Sequence, residues 1–385
     1  MNSLHRTIVC VGVVLASTIA GHAGAQTWQD LGPSPINTSG GYAGRVSAIG
    51  VSATNPALYY IGGADGGIWK TTDAGTTWAA LTDHMPTTAI GAIAVDPTND
   101  QIVYVGTGEA NYANHSRYGL GIYKTTDGGA TWTQFAEETF GGRTFSKMVI
   151  DPANTNTIYA AVASAGGFPA LAAAKGHPDA TGPVGVFKSV DAGETWTLLA
   201  GGLPAVEASD IAIDRDNPTT VYAAIGNIYG DPGNGIYKTT DSGQTWTKLG
   251  GGLPTTNVGR ISLDVSPSSP QTLYALYTRQ ASSTGNGASN IGGFRSDDGG
   301  ATWYARGGVS QSSYGWFLSC VSVNPANPEQ VFYGGLTMRR FTGSSGSTVT
   351  PPHVDMHAFA WDASGRLLSG NDGGVHLSSN EGSSW

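Results

Sequence analysis

One short element, Ser/Thr-x-Asp-x-Gly-x-Thr-Trp, recurs along this chain of 385 residues and limits its possible folds more than any other feature. Five clear copies start at positions 71, 125, 189, 239 and 296, and a degenerate copy, SSNEGSSW, occupies 378–385. Successive clear copies lie roughly 50 to 65 residues apart, a period typical of large repeat units. The spacing therefore predicts a fold built from similar units in series.

A second repeated element sets the number of units at seven. An apolar strand, a turn rich in Asp, Asn and Pro, and a strand with Tyr or Leu recur in segments such as AIAVDPTNDQIVYVGT and IAIDRDNPTTVYAAI. With a third strand such as GIYKT and a fourth that begins at the Trp, each unit predicts four short antiparallel strands. The sixth unit keeps its hairpin and lacks the aspartate element. Seven such sheets around one axis bury faces that a single sheet leaves exposed, so we predict an all-β, seven-bladed β-propeller with four-stranded antiparallel blades.

The repeated aspartates are assigned a structural role. An Asp carboxylate accepts local backbone N–H groups in a turn, and the Gly two residues later supplies a positive φ. The Trp then places a large apolar surface between neighbouring units. We therefore exclude these aspartates from the candidate active site.

The composition argues against several classes of partner. The net charge is −9, charged residues make up 12% of the chain, and no run of Lys or Arg occurs. Nucleic acid and anionic lipid are not expected partners for such a surface. We predict no cofactor and no metal, and we expect a monomer.

The N-terminus predicts a signal peptide over residues 1–25. His5 and Arg6 precede an apolar run at 7–21, and AGA at 23–25 supplies a small-residue cleavage pattern, so cleavage is expected after Ala25. The run is shorter than the roughly 20 residues that span a bilayer. The protein is thus predicted to be secreted or periplasmic, without a membrane span, and to fold as one propeller over 26–385.

The last blade is predicted to be truncated, because the chain stops at Trp385, where a fourth strand should begin. The alternative is that TWQDLG at 27–32, which resembles the fourth strands TWTLLAGG and TWTKLGGG, replaces the missing strand. Cleavage after Ala25 would also remove Cys10, leaving Cys320 without an internal disulfide partner.

The aspartate elements resemble the Asp-boxes of the bacterial-neuraminidase-repeat β-propellers, from about residue 44 to the end. That repeat is found in sialidases, family 74 xyloglucanases, sortilin-type receptors and photosystem assembly factors. The segments at 106–132 and 353–385 are most similar to secreted bacterial sortilin-like and glycosyl-hydrolase-like proteins. The resemblance implies a propeller that acts on or binds a polysaccharide or glycan. The alternative is a non-catalytic scaffold that binds a protein or peptide.

The candidate catalytic residues are two acids beside the seam between the first and last blades. Asp65 lies in GGADGGIW and Asp372 in SGNDGGVH, each in a loop expected at the channel mouth. Two carboxylates that flank a sugar can divide the acid and the base or nucleophile roles. The alternative is that each Asp-Gly-Gly is simply a turn. The sialidase Arg-Ile-Pro motif is absent, and Asp65 precedes Gly-Gly where the xyloglucanase family has Val-Gly-Gly.

Three arginines open the innermost strands of alternate blades and are predicted to face the same mouth: Arg45, Arg143 and Arg260. Such a cluster would bind a carboxylate or sulfate by bidentate hydrogen bonds. The alternative is that each arginine pairs with an acid or a backbone carbonyl between blades.

Alternating polar residues in PPHVDMHAF, namely His353, Asp355 and His357, are predicted to lie on one side of a strand. They could ligate a divalent ion with Asp372, supply an acid or base, or simply line the mouth. Further ligand-binding candidates share the top-face loops. They are Glu109, Arg117, Tyr118 and Asn371.

Overall fold

The computed structural model describes residues 44–113, 116–164, 182–282 and 287–385. The predicted signal peptide and the TWQDLG segment lie outside these residues. Within them the strands form seven antiparallel sheets, each built from strands that follow one another in sequence. The predicted seven-bladed all-β propeller is confirmed, and the described part of the chain contains one short helix, α1 (Glu137–Phe140).

The first four blades each have four strands. Blade 1 contains β1 (Val46–Val51), β2 (Tyr59–Gly63), β3 (Ile68–Thr71) and β4 (Ala79–Ala80). Blade 2 contains β5 (Ile90–Val95), β6 (Val103–Thr107), β7 (Ile122–Thr125) and β8 (Thr133–Phe135). Blade 3 contains β9 (Arg143–Ile150), β10 (Ile158–Ser164), β11 (Gly185–Ser189) and β12 (Thr197–Leu198). Blade 4 contains β13 (Ala208–Ile213), β14 (Val221–Ile225), β15 (Gly235–Thr239) and β16 (Thr247–Lys248).

The last three blades differ from one another at their outer edges. Blade 5 contains β17 (Val258–Val265), β18 (Leu273–Arg279), β19 (Asn290–Ser296) and β20 (Tyr304–Ala305). Blade 6 contains β21 (Cys320–Asn324), β22 (Asn327–Gly334), β23 (Met338–Thr342) and β24 (Ser345–Val349), with a plain hairpin in place of the aspartate turn. Blade 7 contains β25 (Met356–Trp361), β26 (Leu367–Asn371) and β27 (Gly374–Ser378), and no fourth strand occurs among the described residues.

Each aspartate turn is held by its own carboxylate. In the turn of blade 1, Asp73 Oδ1 accepts the Thr77 amide at 2.8 Å and Asp73 Oδ2 accepts the Thr77 hydroxyl at 2.6 Å. These hydrogen bonds lower the pKa of Asp73 to about 2. The same bonds recur in the turns of blades 2 to 5, and the pKa falls to about 2 there too, at Asp127, Asp191, Asp241 and Asp298.

A lysine and a tyrosine tie each early blade to the turn of the next. Lys238 Nζ lies 5.3 Å from the centre of the Tyr222 ring in its own blade. It donates to the Gly299 carbonyl of blade 5 at 2.8 Å. The equivalent lysines make the same contact at 2.7–2.8 Å, namely Lys70, Lys124 and Lys188. The repeat therefore carries the contact between blades as well as the turn itself.

The ring closes where blade 7 meets blade 1. The Tyr59 hydroxyl of blade 1 donates to Asp362 Oδ2 of blade 7 at 2.8 Å. Arg366 Nη2, also from blade 7, donates to the Pro56 carbonyl at 2.6 Å. This closure brings residues from both ends of the described chain to one seam. No helix in the described ranges is long and apolar enough to cross a membrane.

Candidate functional site

The loop between β6 and β7, described at 108–113 and 116–121, extends over the top face. Tyr112 of this loop packs in an apolar cluster with Ala163 of blade 3, Ile228 of the β14–β15 loop in blade 4, Ala288 of blade 5 and Trp316 beyond blade 5. A residue of blade 2 therefore reaches the far side of the ring. The loop of blade 2 therefore occupies part of the channel mouth expected from the sequence.

Glu109 anchors the covering loop to blade 1. Its carboxylate accepts two bonds from Arg45, from Nε and Nη2, each at 2.8 Å. Asn111 Nδ2 donates to it at 2.8 Å and the Ser116 hydroxyl donates at 2.9 Å. Because Glu109 is only 1% exposed, these four bonds offset the cost of burying its charge.

Asn111 fixes the tautomer of His357. Its Oδ1 accepts Arg260 Nη1 at 3.2 Å, so its Nδ2 faces both Glu109 and His357 Nδ1, the latter at 3.1 Å. An amide nitrogen only donates, so His357 Nδ1 accepts. The proton of the neutral ring is then on Nε2, which donates to Asp372 Oδ1 at 2.7 Å.

The predicted arginine cluster is only partly brought together. Arg45 and Arg260 join one network, and Arg260 Nη1 also donates to the carbonyls of Trp316 and Phe317 at 3.2 and 3.1 Å. Arg143 instead donates to the Gly182 carbonyl. Burial lowers its pKa, and the nearby Glu207 charge raises it. These side chains therefore pair with acids and backbone carbonyls, which is the alternative given in the sequence analysis.

A partly open cavity of about 30 Å³ lies against the β6–β7 loop, which is room for about two water molecules. Its lining includes Ser47, Glu109, Asn111, Arg260 and His357. Residues from blades 1, 2, 5 and 7 thus meet at the top of the axis, in an almost wholly polar space.

A second charged group lies on the innermost strands and was missed by the sequence reasoning. Lys147 Nζ of β9 lies 3.3 Å from Asp210 Oδ1 of β13. Asp210 Oδ2 accepts the Leu263 amide of the next blade, and Asp264 Oδ2 accepts the Val323 amide of the one after. Burial raises the pKa of Asp264, with Lys147 opposing it. The sequence feature that could have revealed this group is a single charged residue within each of several otherwise apolar inner strands.

The two predicted catalytic acids have different environments. Asp65 is exposed and pairs with the exposed Arg117 at 2.8 Å, beside Tyr118, which is 39% exposed. Asp372 lies in the two-residue turn between β26 and β27. Burial raises its pKa, but the hydrogen bond from His357 and the charge of Arg45 oppose burial, and the net pKa is lowered.

Asp355 and Asn371 lie beside Asp372. Asn371 is fully buried, and its Oδ1 accepts the Gly373 amide of the turn at 2.9 Å. Asp355 has a left-handed backbone, with φ of 66°. Burial and the charge of Asp372 raise the pKa of Asp355. Among the described residues, no group of three or more His, Cys, Asp or Glu side chains has the arrangement of a metal site.

The fold and the site together define a seven-bladed β-propeller with a carboxylate-bearing rim at the seam between blades 7 and 1. No protein-family model matches the chain. The chain is similar to a xyloglucanase of Hypocrea jecorina, at 28% identity over 203 residues that cover 49% of this chain and 21% of the relative. It is also similar to xyloglucanase Xgh74A of Acetivibrio thermocellus, at 30% identity over 152 residues that cover 35% of this chain and 16% of the relative. The matches thus span about a fifth or less of these relatives.

Solved structures share the propeller fold. An ancestral GH74 enzyme superposes with a TM-score of 0.65 at 17% identity, over 91% of this chain and 46% of that one. The structure of YCF48 bound to D1 peptide superposes with a TM-score of 0.54 at 10% identity, over 89% of this chain and 96% of that one. At these identities the likeness concerns the fold alone.

Proposed function

We propose that this protein is an Asp-box propeller of the glycoside hydrolase-like kind, which binds and cleaves a neutral polysaccharide at the rim between blades 7 and 1. The observation that carries the proposal is the sequence similarity to two xyloglucanases, found in a chain whose rim carries carboxylates on both sides of one seam. The proposed ligand is a β-linked polysaccharide such as xyloglucan.

Arg45 is near both predicted acids. The Ala64 amide, next to Asp65, donates to the Arg45 carbonyl at 3.0 Å, and the Arg45 charge acts on Asp372. Asp65 and Asp372 are therefore proposed to border one binding surface, with Tyr118 as a stacking platform for a sugar ring. Because Arg45 and Arg260 are engaged by protein groups, a neutral sugar chain is a better ligand than an acidic one.

The test is a panel of neutral and acidic polysaccharides assayed for reducing ends and for binding, with wild type, Asp372→Asn and Asp65→Asn. We expect release of reducing ends from a neutral polysaccharide and a large loss of rate in Asp372→Asn. Unchanged turnover in Asp65→Asn would remove Asp65 from the mechanism. Salt-sensitive binding of acidic sugars alone, weakened by Arg143→Ala, would contradict the preference for neutral ligands.

The second candidate function is a sortilin-like or assembly scaffold that binds a protein or peptide. It is favoured by the reach of the β6–β7 loop, because Tyr112 packs with residues of blades 3 to 5 and so occupies part of the mouth. Binding of an extended peptide at this face, with no hydrolysis of any polysaccharide, would support the scaffold and refute the enzyme.

A further inference from the structure

A run of hydrogen bonds links the two predicted rim acids, Asp65 and Asp372, and Glu109 lies in the middle of this run. On the Asp65 side, the Glu109 amide donates to the Arg117 carbonyl at 3.0 Å. Arg117 Nε in turn donates to Asp65 Oδ2 at 2.8 Å. The backbone of Glu109 therefore fixes the point from which the Arg117 side chain reaches Asp65.

On the Asp372 side, the run passes through side chains. Glu109 Oε1 accepts Asn111 Nδ2 at 2.8 Å, and the same Nδ2 group donates to His357 Nδ1 at 3.1 Å. His357 Nε2 then donates to Asp372 Oδ1 at 2.7 Å. Because the His357 side chain is fully buried, these protein contacts set the orientation of its ring, and the ring holds one oxygen of Asp372.

Glu109 is a fixed point for both sides of the run. Its side chain is 1% exposed, and each carboxylate oxygen accepts a bond from Arg45 at 2.8 Å. The Ser116 hydroxyl, one residue before Arg117, donates to Oε2 at 2.9 Å. Any other rotamer of Glu109 would leave its buried charge without these donors, which is strongly unfavourable. The loop therefore presents Asn111 and Arg117 from one rigid anchor.

Anchoring of the loop does not by itself require contacts with the rim acids. Tyr112 already holds the loop to the other blades through its apolar cluster. Both branches of the hydrogen-bond run instead end on a carboxylate at the seam. Reacting groups must be held in orientation by the residues behind them, since a displacement of about 1 Å can cost about 10²-fold in rate. The arrangement is that of a common support for two acids.

We propose that Glu109 is a positioning residue for both rim acids. Its carboxylate orients Asp372 through Asn111 and the buried histidine. Its amide orients Asp65 through Arg117. This inference rests on the proposed function, in which the two acids border the bound polysaccharide. Glu109 itself touches no sugar and transfers no proton, so its loss changes the rate of hydrolysis more than the affinity for the polysaccharide.

The kinetic test uses Glu109→Gln, Asn111→Leu and Arg117→Met in the hydrolysis of a neutral polysaccharide such as xyloglucan. The assay temperature is set well below the Tm of each variant, and the last two variants test one branch each if Glu109→Gln does not fold. We expect kcat to fall by about 10–10²-fold in Glu109→Gln and Asn111→Leu, with KM changed by less than about threefold. Arg117→Lys keeps a charge and a donor, so it should recover part of the kcat lost in Arg117→Met.

Two control variants match the substituted residues. Asn324→Leu removes another buried Asn, whose amide donates to Gln330 in blade 6. Arg215→Met removes another exposed Arg, in the β13–β14 turn. Both should retain the kcat of the wild type. A loss of kcat in Asn324→Leu equal to that in Asn111→Leu would trace the effect to stability and overturn the inference.

The Arg117 branch is tested in a double-mutant cycle with Asp65→Asn. If Arg117 acts only through Asp65, Arg117→Met lowers kcat no further when it is added to Asp65→Asn. Losses of kcat that multiply would reveal an effect of Arg117 that bypasses Asp65, and they would overturn this branch.

A measurement without substrate tests the Asn111 branch. Nitrogen NMR of the imidazole ring should place the proton of neutral His357 on Nε2, with Nδ1 accepting from Asn111. Asn111→Leu removes that donor and should move the Nδ1 resonance, whereas Asn324→Leu should not. A proton on Nδ1 of the neutral wild-type ring, or an unmoved resonance in Asn111→Leu, overturns this branch.

The inference and the proposed function fail in different ways. Hydrolysis by the wild type, with an unchanged kcat in Glu109→Gln and Asn111→Leu, overturns the inference and leaves the proposed function standing. Absence of hydrolysis of any neutral polysaccharide by the wild type overturns the proposed function, and the inference falls with it.

Discussion

Comparing Glu109→Gln with Asp65→Asn separates the effect of burial on ion-pair stability from the effect of distance. The protein holds two ion pairs of equal length. The Arg45–Glu109 pair and the Arg117–Asp65 pair are both 2.8 Å long. The side chains of the first are 15% and 1% exposed, and those of the second are 67% and 51% exposed. Coulomb's law alone would rank the pairs equally, whereas desolvation ranks them far apart.

The cost follows from the four bonds that Glu109 accepts. A glutamine keeps one accepting oxygen, and because Arg45 donates to both carboxylate oxygens, the amide group must face an Arg45 donor in either orientation. One charge-assisted bond, worth about 1.5–3 kcal/mol, is lost, and Arg45 loses its countercharge. Breaking a buried pair costs about 3–5 kcal/mol, and the partial exposure of Arg45 favours the lower end, about 3 kcal/mol. Asp65→Asn should cost less than about 1 kcal/mol.

Thermal unfolding measures the difference. At about 2 °C per kcal/mol, the value for the larger domains, Glu109→Gln should lower Tm by about 6 °C and Asp65→Asn by about 2 °C or less. Urea midpoints provide a second measurement. A fall in Tm for Asp65→Asn that equals or exceeds that of Glu109→Gln would refute the reasoning, since the buried network would then contribute no more than an exposed pair.

Three further outcomes are expected. Gly106→Ala should destabilise by about 1–3 kcal/mol, because its Cβ would lie 2.3 Å from Cγ of the buried Phe145 ring, whereas Gly250→Ala, with nothing within 4 Å, should leave Tm unchanged. Asp241→Ala should lower Tm more than Asp241→Asn, because the natural Asn380 makes the equivalent bond to the Ser384 amide at 2.8 Å; equal losses would contradict this. Since the turn aspartates have a folded pKa of about 2, their contribution to stability is complete above about pH 4 and is lost as the pH falls towards 2. Urea midpoints from pH 5 to 2 should therefore decline less in Asp241→Ala than in wild type.

The fold was predictable because its signals are local. Each aspartate turn closes bonds between residues no more than four positions apart, as Asp73 does with Thr77. Each hairpin likewise pairs neighbouring segments, so both can be recognised from short stretches of sequence. The degenerate sixth blade was predictable for the same reason, since its hairpin remained readable without the turn.

The site was predictable only as a set of loops. The partners in its network are separated by 64 residues for Arg45 and Glu109, and by 246 for Asn111 and His357. The spacing of the repeats does not indicate that the β6–β7 loop reaches the other blades. Its path depends on the packing of Tyr112 in an apolar cluster made by those blades. Asn111 carries no charge and no motif, so its central position could not be inferred from its type.

The seam between blades 7 and 1 also determines the order in which the molecule can assemble. Tyr59 and Asp362 are separated by 303 residues, so their contact cannot form until nearly all of the chain is available. Closing so long a segment has a high entropic cost, and contacts of this separation are associated with slow folding. Closure of the ring at this seam is therefore expected to be a late step of folding.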